Sequence, residues 1–104
     1  MAFKAYHNIT GSTGVDVELL ASGDNSNNIE SIMITNTHAT ADATVSLYLN
    51  NNTLDKKYYI IHTIAVPADS SLLLDNPTMF RFSGLYGLYI TVGSSDTVDV
   101  FINQ

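Results

Sequence analysis

Apolar and polar side chains alternate with a period of two in four separate stretches of this chain. Val15, Val17 and Leu19 alternate with Asp16 and Glu18, and Val45, Leu47 and Leu49 with Ser46, Tyr48 and Asn50. Leu88, Ile90 and Val92 alternate with Tyr89 and Thr91, and Val98, Val100 and Ile102 with Asp99, Phe101 and Asn103. Successive side chains on a β-strand point to opposite faces, so each stretch predicts a strand with one face in a core and one wetter face. No window holds apolar residues at i, i+3, i+4 and i+7 for long enough to make a helix.

Three further segments carry continuous apolar runs: Ile29 to Asn36, Tyr58 to Val66, and Ser71 to Leu74. Such runs predict strands with both faces partly covered, either central in a sandwich or lying against a neighbouring subunit. Phe3 to Ile9 adds an N-terminal strand and Met79 to Phe82 a short one. Between them lie turn clusters such as Gly11-Ser12-Thr13-Gly14, Pro67-Ala68-Asp69-Ser70 and Gly93-Ser94-Ser95-Asp96, where Gly, Asn and Asp tolerate positive φ and Pro presets a turn. Strand after strand with no helical stretch predicts an all-β chain. The expected architecture is an antiparallel β-sandwich, jelly-roll-like, with about seven to nine strands and no significant helix. A length of 104 residues suits a single domain, 1–104, around one core.

Charged residues make up only 13% of the chain, so its exterior must be largely Ser, Thr, Asn and Tyr. Interspersed charge normally keeps monomers apart, and its scarcity leaves two readings: a partner covers part of the surface, or the neutral polar surface is simply well hydrated. Ten acids against four bases give a net charge of −6. Four scattered bases cannot line a phosphate backbone, so nucleic acid is not an expected partner, and anionic membranes are disfavoured for the same reason. The absence of cysteine removes disulfides, thiolate nucleophiles and Cys-based metal sites. The start, Met-Ala-Phe-Lys-Ala-Tyr-His, has no apolar stretch of the signal-peptide kind, so synthesis in the cytoplasm without export is expected, and Asn8-Ile9-Thr10 and Asn51-Asn52-Thr53 read as chance sequons.

Few residues invite chemistry. His7, His38 and His62 have no partner at metal-ligand spacing, and His62 falls in phase with Tyr58, Ile60, Ile64 and Val66, as a core or interface histidine would. Asp24-Asn25-Ser26-Asn27-Asn28 opens like a calcium loop but lacks the sixth-position glycine and has Thr35 in place of the closing glutamate. Asp96 and Asp99 flank a turn and could meet a cation, although Asp99 is also simply the outward residue of the last strand. There is no Gly-x-Ser-x-Gly elbow, no phosphate-cradling loop and no identifiable carboxylate pair, so no enzyme, cofactor or metal is expected. The tyrosines are more informative, because tyrosine suits a dehydrated surface that keeps one hydroxyl satisfied. Tyr48, Tyr58, Tyr59, Ile60, Tyr86 and Tyr89 are the candidate interface residues. Tyrosines shielding a sheet from across neighbouring strands are the structural alternative, and stacking on a sugar the other ligand-binding one. Uncharged strands such as Tyr58 to Val66 and Leu88 to Val92 would aggregate as naked edges, so either they are internal to the sandwich or another copy covers them, and a homo-oligomer is the favoured expectation.

An order of pieces over residues 29 to 103 resembles the small β-sandwich virion proteins of tailed, marine bacteriophages. The pieces are Ile34-Thr35-Asn36-Thr37, then Ala43-Thr44-Val45-Ser46-Leu47-Tyr48-Leu49, and Tyr58 to Ile64 leading into Val66-Pro67-Ala68-Asp69. Leu72-Leu73-Leu74 and the closing pair Gly87 to Val92 and Val98 to Ile102 complete it. Asp69 departs from the pattern, standing where a glycine is common. The resemblance implies a structural role in a virion, as a capsid decoration protein or a neck, tail or fibre component. Its partners would be further copies of itself, with a trimer favoured, and other virion proteins. A carbohydrate- or receptor-binding module is the competing expectation.

Overall fold

The computed structural model describes residues 4–11, 16–21, 29–51, 56–81 and 86–103. Within them lie eight strands: β1 Lys4–Thr10, β2 Asp16–Leu20, β3 Ser31–Asn36, β4 Ala43–Asn51, β5 Lys56–Val66, β6 Ser71–Leu74, β7 Gly87–Val92 and β8 Thr97–Asn103. They form two four-stranded antiparallel sheets, sheet A in the order β1-β8-β3-β6 and sheet B in the order β2-β7-β4-β5. The first strand pairs with the last, the second with the second-last, and so inward to the β4–β5 hairpin. One long hairpin has been rolled into two layers, which is the connectivity of an eight-stranded jelly roll.

The four alternating stretches behave as their period requires. Val98, Val100 and Ile102 of β8 and Ile9, Ile32 and Ile34 from its neighbours face Val45 and Leu47 of β4, Leu88, Ile90 and Val92 of β7, and Leu19 of β2. These side chains fill the space between the sheets, and Ile29, Ala43, Val66 and Phe80 extend the same core. Val15, expected to open the second strand, lies outside the described residues, as does the Asp24–Asn28 loop.

Three expectations are corrected. Of the expected Met79–Phe82 strand, Met79 and Phe80 lie instead in a 3₁₀ turn, Pro77–Phe80, set by proline in its first turn and by the Asn76 side chain accepting from the Thr78 amide at 3.1 Å, and Phe82 lies outside the described residues. Ser71–Leu74 and Tyr58–Val66 are not central strands of the sandwich. They are the outermost strands of sheets A and B respectively, while Leu88–Val92 is the internal one. The third concerns phase. β5 has eleven residues against nine in β4, and the two extra ones form bulges, at Ile60 and opposite Ser46. Thr63, in the second bulge, has φ 55° and its amide donates to Ser46 Oγ at 2.8 Å. A left-handed β-branched residue is rare and costs of the order of 1–3 kcal/mol, so the bulge is held by its surroundings. Because each bulge resets the alternation, Tyr58, Ile60, His62 and Ile64 do not share a face. His62 is exposed and is not a core histidine, whereas Ile60 and Ile61 both pack half-buried against the core.

Two pieces of the resemblance, Ile34–Thr37 and Val66–Asp69, meet at one corner of the sandwich. Asn36, at the end of β3, is 1% exposed. Its side-chain amide donates to the Ala41 carbonyl at 2.8 Å and the Val66 carbonyl at 3.0 Å, and its Oδ1 accepts from the His38 amide at 2.9 Å. The Asp69 amide closes the corner on the His38 carbonyl at 2.9 Å, and Asp69 has φ 55°. Glycine suits that left-handed position without strain, and Asp is among the residues that tolerate it.

Candidate interaction surfaces on the outer faces

Sheet B carries the tyrosines. Register places Glu18, Tyr89, Tyr48 and Tyr59 side by side on β2, β7, β4 and β5, so the row crosses all four strands. Tyr48 and Tyr89 stack nearly parallel, 5.7 Å between centroids and 11° between planes. Tyr59 tilts against Tyr48 at 5.3 Å and takes His62 edge-on at 4.5 Å. Lys57 Nζ lies 4.9 Å from the Tyr48 ring centroid and 3.4 Å from Asp16 Oδ2, so the lysine bridges the row from β5 to β2. Ion pairs this exposed contribute little to stability, and the lysine stem counts mainly as cover for the ring. Tyr48 accordingly points away from the core yet is 0% exposed.

The electrostatics follow from that cover. Thr91 donates to Asp16 Oδ1 at 2.9 Å and Tyr89 to Glu18 Oε2 at 2.9 Å. The Tyr48 hydroxyl makes no hydrogen bond of ordinary geometry but lies close enough to Asp16 for each to act on the other. Partial burial opposes ionisation of Asp16, but the Tyr48 and Thr91 hydroxyls and the Lys57 charge outweigh it and hold the carboxyl below its ordinary value of 3.8. Burial first, and the Asp16 carboxylate second, push the Tyr48 hydroxyl well above its ordinary 10.0. Above pH 10 an unfolded tyrosine loses its proton while folded Tyr48 keeps it, so stability falls with rising pH by up to about 1.4 kcal/mol per unit. Tyr48→Phe is expected to flatten that alkaline slope and to cost little at neutral pH; urea melts from pH 8 to 11 check it.

Of the candidate interface residues, Tyr48, Tyr59 and Tyr89 are thus brought together. Tyr58 and Tyr86 form a separate edge-on pair at 5.8 Å. Ile60 belongs to the core margin instead. Asp16, Glu18, Lys57 and Thr91, which complete the row, carried no sequence signal of their own beyond their polar phase.

Sheet A carries a feature the tyrosine argument missed. Met33 is in register with Phe101 on one side and Leu73 on the other, so an apolar stripe crosses β8, β3 and β6 on the outer face. Phe101 is 38% and Leu73 55% exposed. Around the stripe the face is neutral and self-bonded: Asn8 Nδ2 donates to Asp99 Oδ1 at 2.6 Å, the Thr35 and Ser71 hydroxyls meet at 2.8 Å, and those of Thr10 and Thr97 at 3.1 Å. Beside Phe101, between β1 and β8, lies an open depression of about 370 Å³ lined by His7, Asn8, Asp99 and Phe101. Only Phe101 gave a sequence signal, as an apolar residue on the outward phase of an alternating strand; Met33 and Leu73 stand in continuous apolar runs without a phase. Neither aspartate flanking the last turn is part of a metal cluster: Asp96 Oδ2 accepts from the Thr44 amide at 3.1 Å, and no group of three or more metal-ligating side chains occurs among the described residues.

No protein-family model matches the chain, and no curated protein matches it.

Proposed function

We propose that this domain is a non-enzymatic structural protein of a phage virion, acting by self-association and by contact with other subunits of the particle. The observation that carries the reading is the exposed apolar stripe of Phe101, Met33 and Leu73 on a nearly uncharged sheet face. A contiguous apolar patch on a small domain marks a place where another surface sits. The virion part rests on the family resemblance together with fold analogy: eight-stranded jelly rolls recur in capsid proteins, although also in lectins and cupins. Stacking against a sugar needs a flat aromatic surface open to solvent. The Tyr48 and Tyr89 rings turn their faces to each other, so the tyrosine row favours cohesion of sheet B over carbohydrate binding.

The purified chain is expected to form a homo-oligomer in the micromolar range by size-exclusion chromatography with light scattering. A monomer throughout that range would remove self-association from the reading. Binding of a mono- or oligosaccharide to the Tyr59 side of sheet B, read by chemical-shift changes, would replace it with the carbohydrate-binding alternative.

A further inference from the structure

We infer that two copies of this chain pack face to face through the outer surface of sheet A, each inserting Leu73 into the depression between β1 and β8 of the other. The inference rests on the self-association reading above and adds to it the surface, the symmetry and the contact residues.

Three of the four edge strands are poor candidates for the contact. β5 is broken by two bulges with Thr63 left-handed, β6 has four residues, and β2 carries Asp16 and Glu18. Short strands, bulges and charges are the devices that keep sheet edges from pairing with other chains. Area points to a face as well. The molecule measures 38 × 32 × 18 Å. A stable interface covers about 800 Å² on each partner, which a broad face supplies more readily than an 18 Å-deep side. Charge chooses between the two faces. Taking charged groups out of water is costly, so the face that carries fewer of them packs at least cost. The strands of sheet A contain one acid, Asp99, and one base, Lys4, whereas those of sheet B contain Asp16, Glu18, Lys56 and Lys57.

Shape then fixes the pairing. In the order β1-β8-β3-β6, a two-fold axis parallel to the strands between β8 and β3 sets β6 of one copy over β1 of the other, and β3 over β8. Leu73, the most exposed large apolar residue among those described, then meets the depression, and Met33 meets Phe101. The axis repeats both contacts in reverse, as an isologous interface requires.

The test is the mass of variants by light scattering, with far-ultraviolet circular dichroism as the control for folding. Wild type is expected to be a dimer. Leu73→Asp is expected to raise the dissociation constant about 100-fold or more, with the β spectrum unchanged, as loss of a central apolar anchor does. Leu73→Ser serves if the aspartate disturbs β6, and Tyr59→Asp on the opposite sheet is expected to remain dimeric. Facing sheets lie about 10 Å apart, too far for a direct disulfide. The chain has no cysteine, so a mixture of Leu73→Cys and Asn8→Cys proteins treated with a short bismaleimide should yield the mixed cross-linked species ahead of either pure one. Preferential linking within Leu73→Cys alone would overturn the two-fold axis. An oligomer that both Leu73 variants leave intact would overturn the face-to-face contact while self-association stands, and a wild-type monomer would overturn both.

Discussion

Replacing Gly11 with alanine is expected to lower stability by about 3 kcal/mol, and with it the melting temperature by roughly 10–25 °C. Gly11 follows β1 and lies directly on the β7–β8 turn. Its amide donates to the Asp96 carbonyl at 2.8 Å, and its own carbonyl accepts from Ser95 at 3.1 Å. A Cβ at this position would fall far inside contact distance of the Gly93 and Val92 carbonyl oxygens, which are backbone atoms with nowhere to go. The turn they belong to is itself fixed. Asp96 donates to the Gly93 carbonyl at 3.0 Å, Gly93 donates to the Thr44 carbonyl at 2.8 Å, and Ser95 is held at φ 69°. One added methyl therefore pushes apart the place where sheet A, through β1 and β8, is tied to sheet B, through β7 and β4. Gly93→Ala provides the comparison. Its Cβ meets the Asp96 carboxylate, a side chain that can swing away at the cost of its bond to Thr44, so about 1 kcal/mol is expected. Thermal melts of the two variants check the ranking. Equal losses would mean that Gly11 is not pinned against the turn.

The second large effect is at Asn36. Asn36→Asp exchanges the buried amide that donates to Ala41 and Val66 for an oxygen facing the same two carbonyls. A loss of about 3 kcal/mol or more is expected at neutral pH, since a buried charge is left among acceptors. Burial beside carbonyl oxygens raises the folded pKa of the new carboxyl above its unfolded value near 3.9. The penalty is then full above the folded pKa and shrinks as pH falls through it, because protonation restores one donor. Urea melts at pH 7 and pH 4.5 should show the gap to wild type narrowing at the lower pH. A gap that does not change would show that the new carboxylate escapes to solvent. Asn36→Ala, which strips three partners without adding charge, is expected to cost about 2 kcal/mol at both pH values.

These two sites mark the boundary of what local pattern conveys. Gly11 read as a turn glycine and Asn36 as the polar end of a strand, and both readings are right as far as they go. Each residue is irreplaceable for a reason that lies far along the chain: Gly11 because of residues 92–96, Asn36 because of Val66. The same holds for Asp69, whose departure from glycine has a physical meaning once its backbone is known to be left-handed. The pieces behind the family resemblance, Ile34–Thr37 and Val66–Asp69, answer the demands of one shared corner.

The tyrosine row divides similarly. That tyrosines would lie on the outward phase of β4 and β7 could be read from alternation. That Tyr48 would be the buried centre of the row could not, since the cover comes from Tyr89, Tyr59 and Lys57 on other strands. Phe101 was legible as an apolar residue on an outward phase, whereas Met33 and Leu73 stand in continuous apolar runs that show no phase. Only strand pairing lines them up into a stripe.

Period-two alternation in a chain without helical windows was enough to dictate an all-β sandwich and to name the inward residues of β4, β7 and β8, because side-chain direction on a strand is a local property. Strand order, the choice of β5 and β6 as outermost strands, the bulges that reset the phase of β5, and the neighbours of every outward side chain were decided by the tertiary structure. Each depends on pairings between residues tens of positions apart, and backbone hydrogen bonds join strands without regard to the side chains that alternation can reveal.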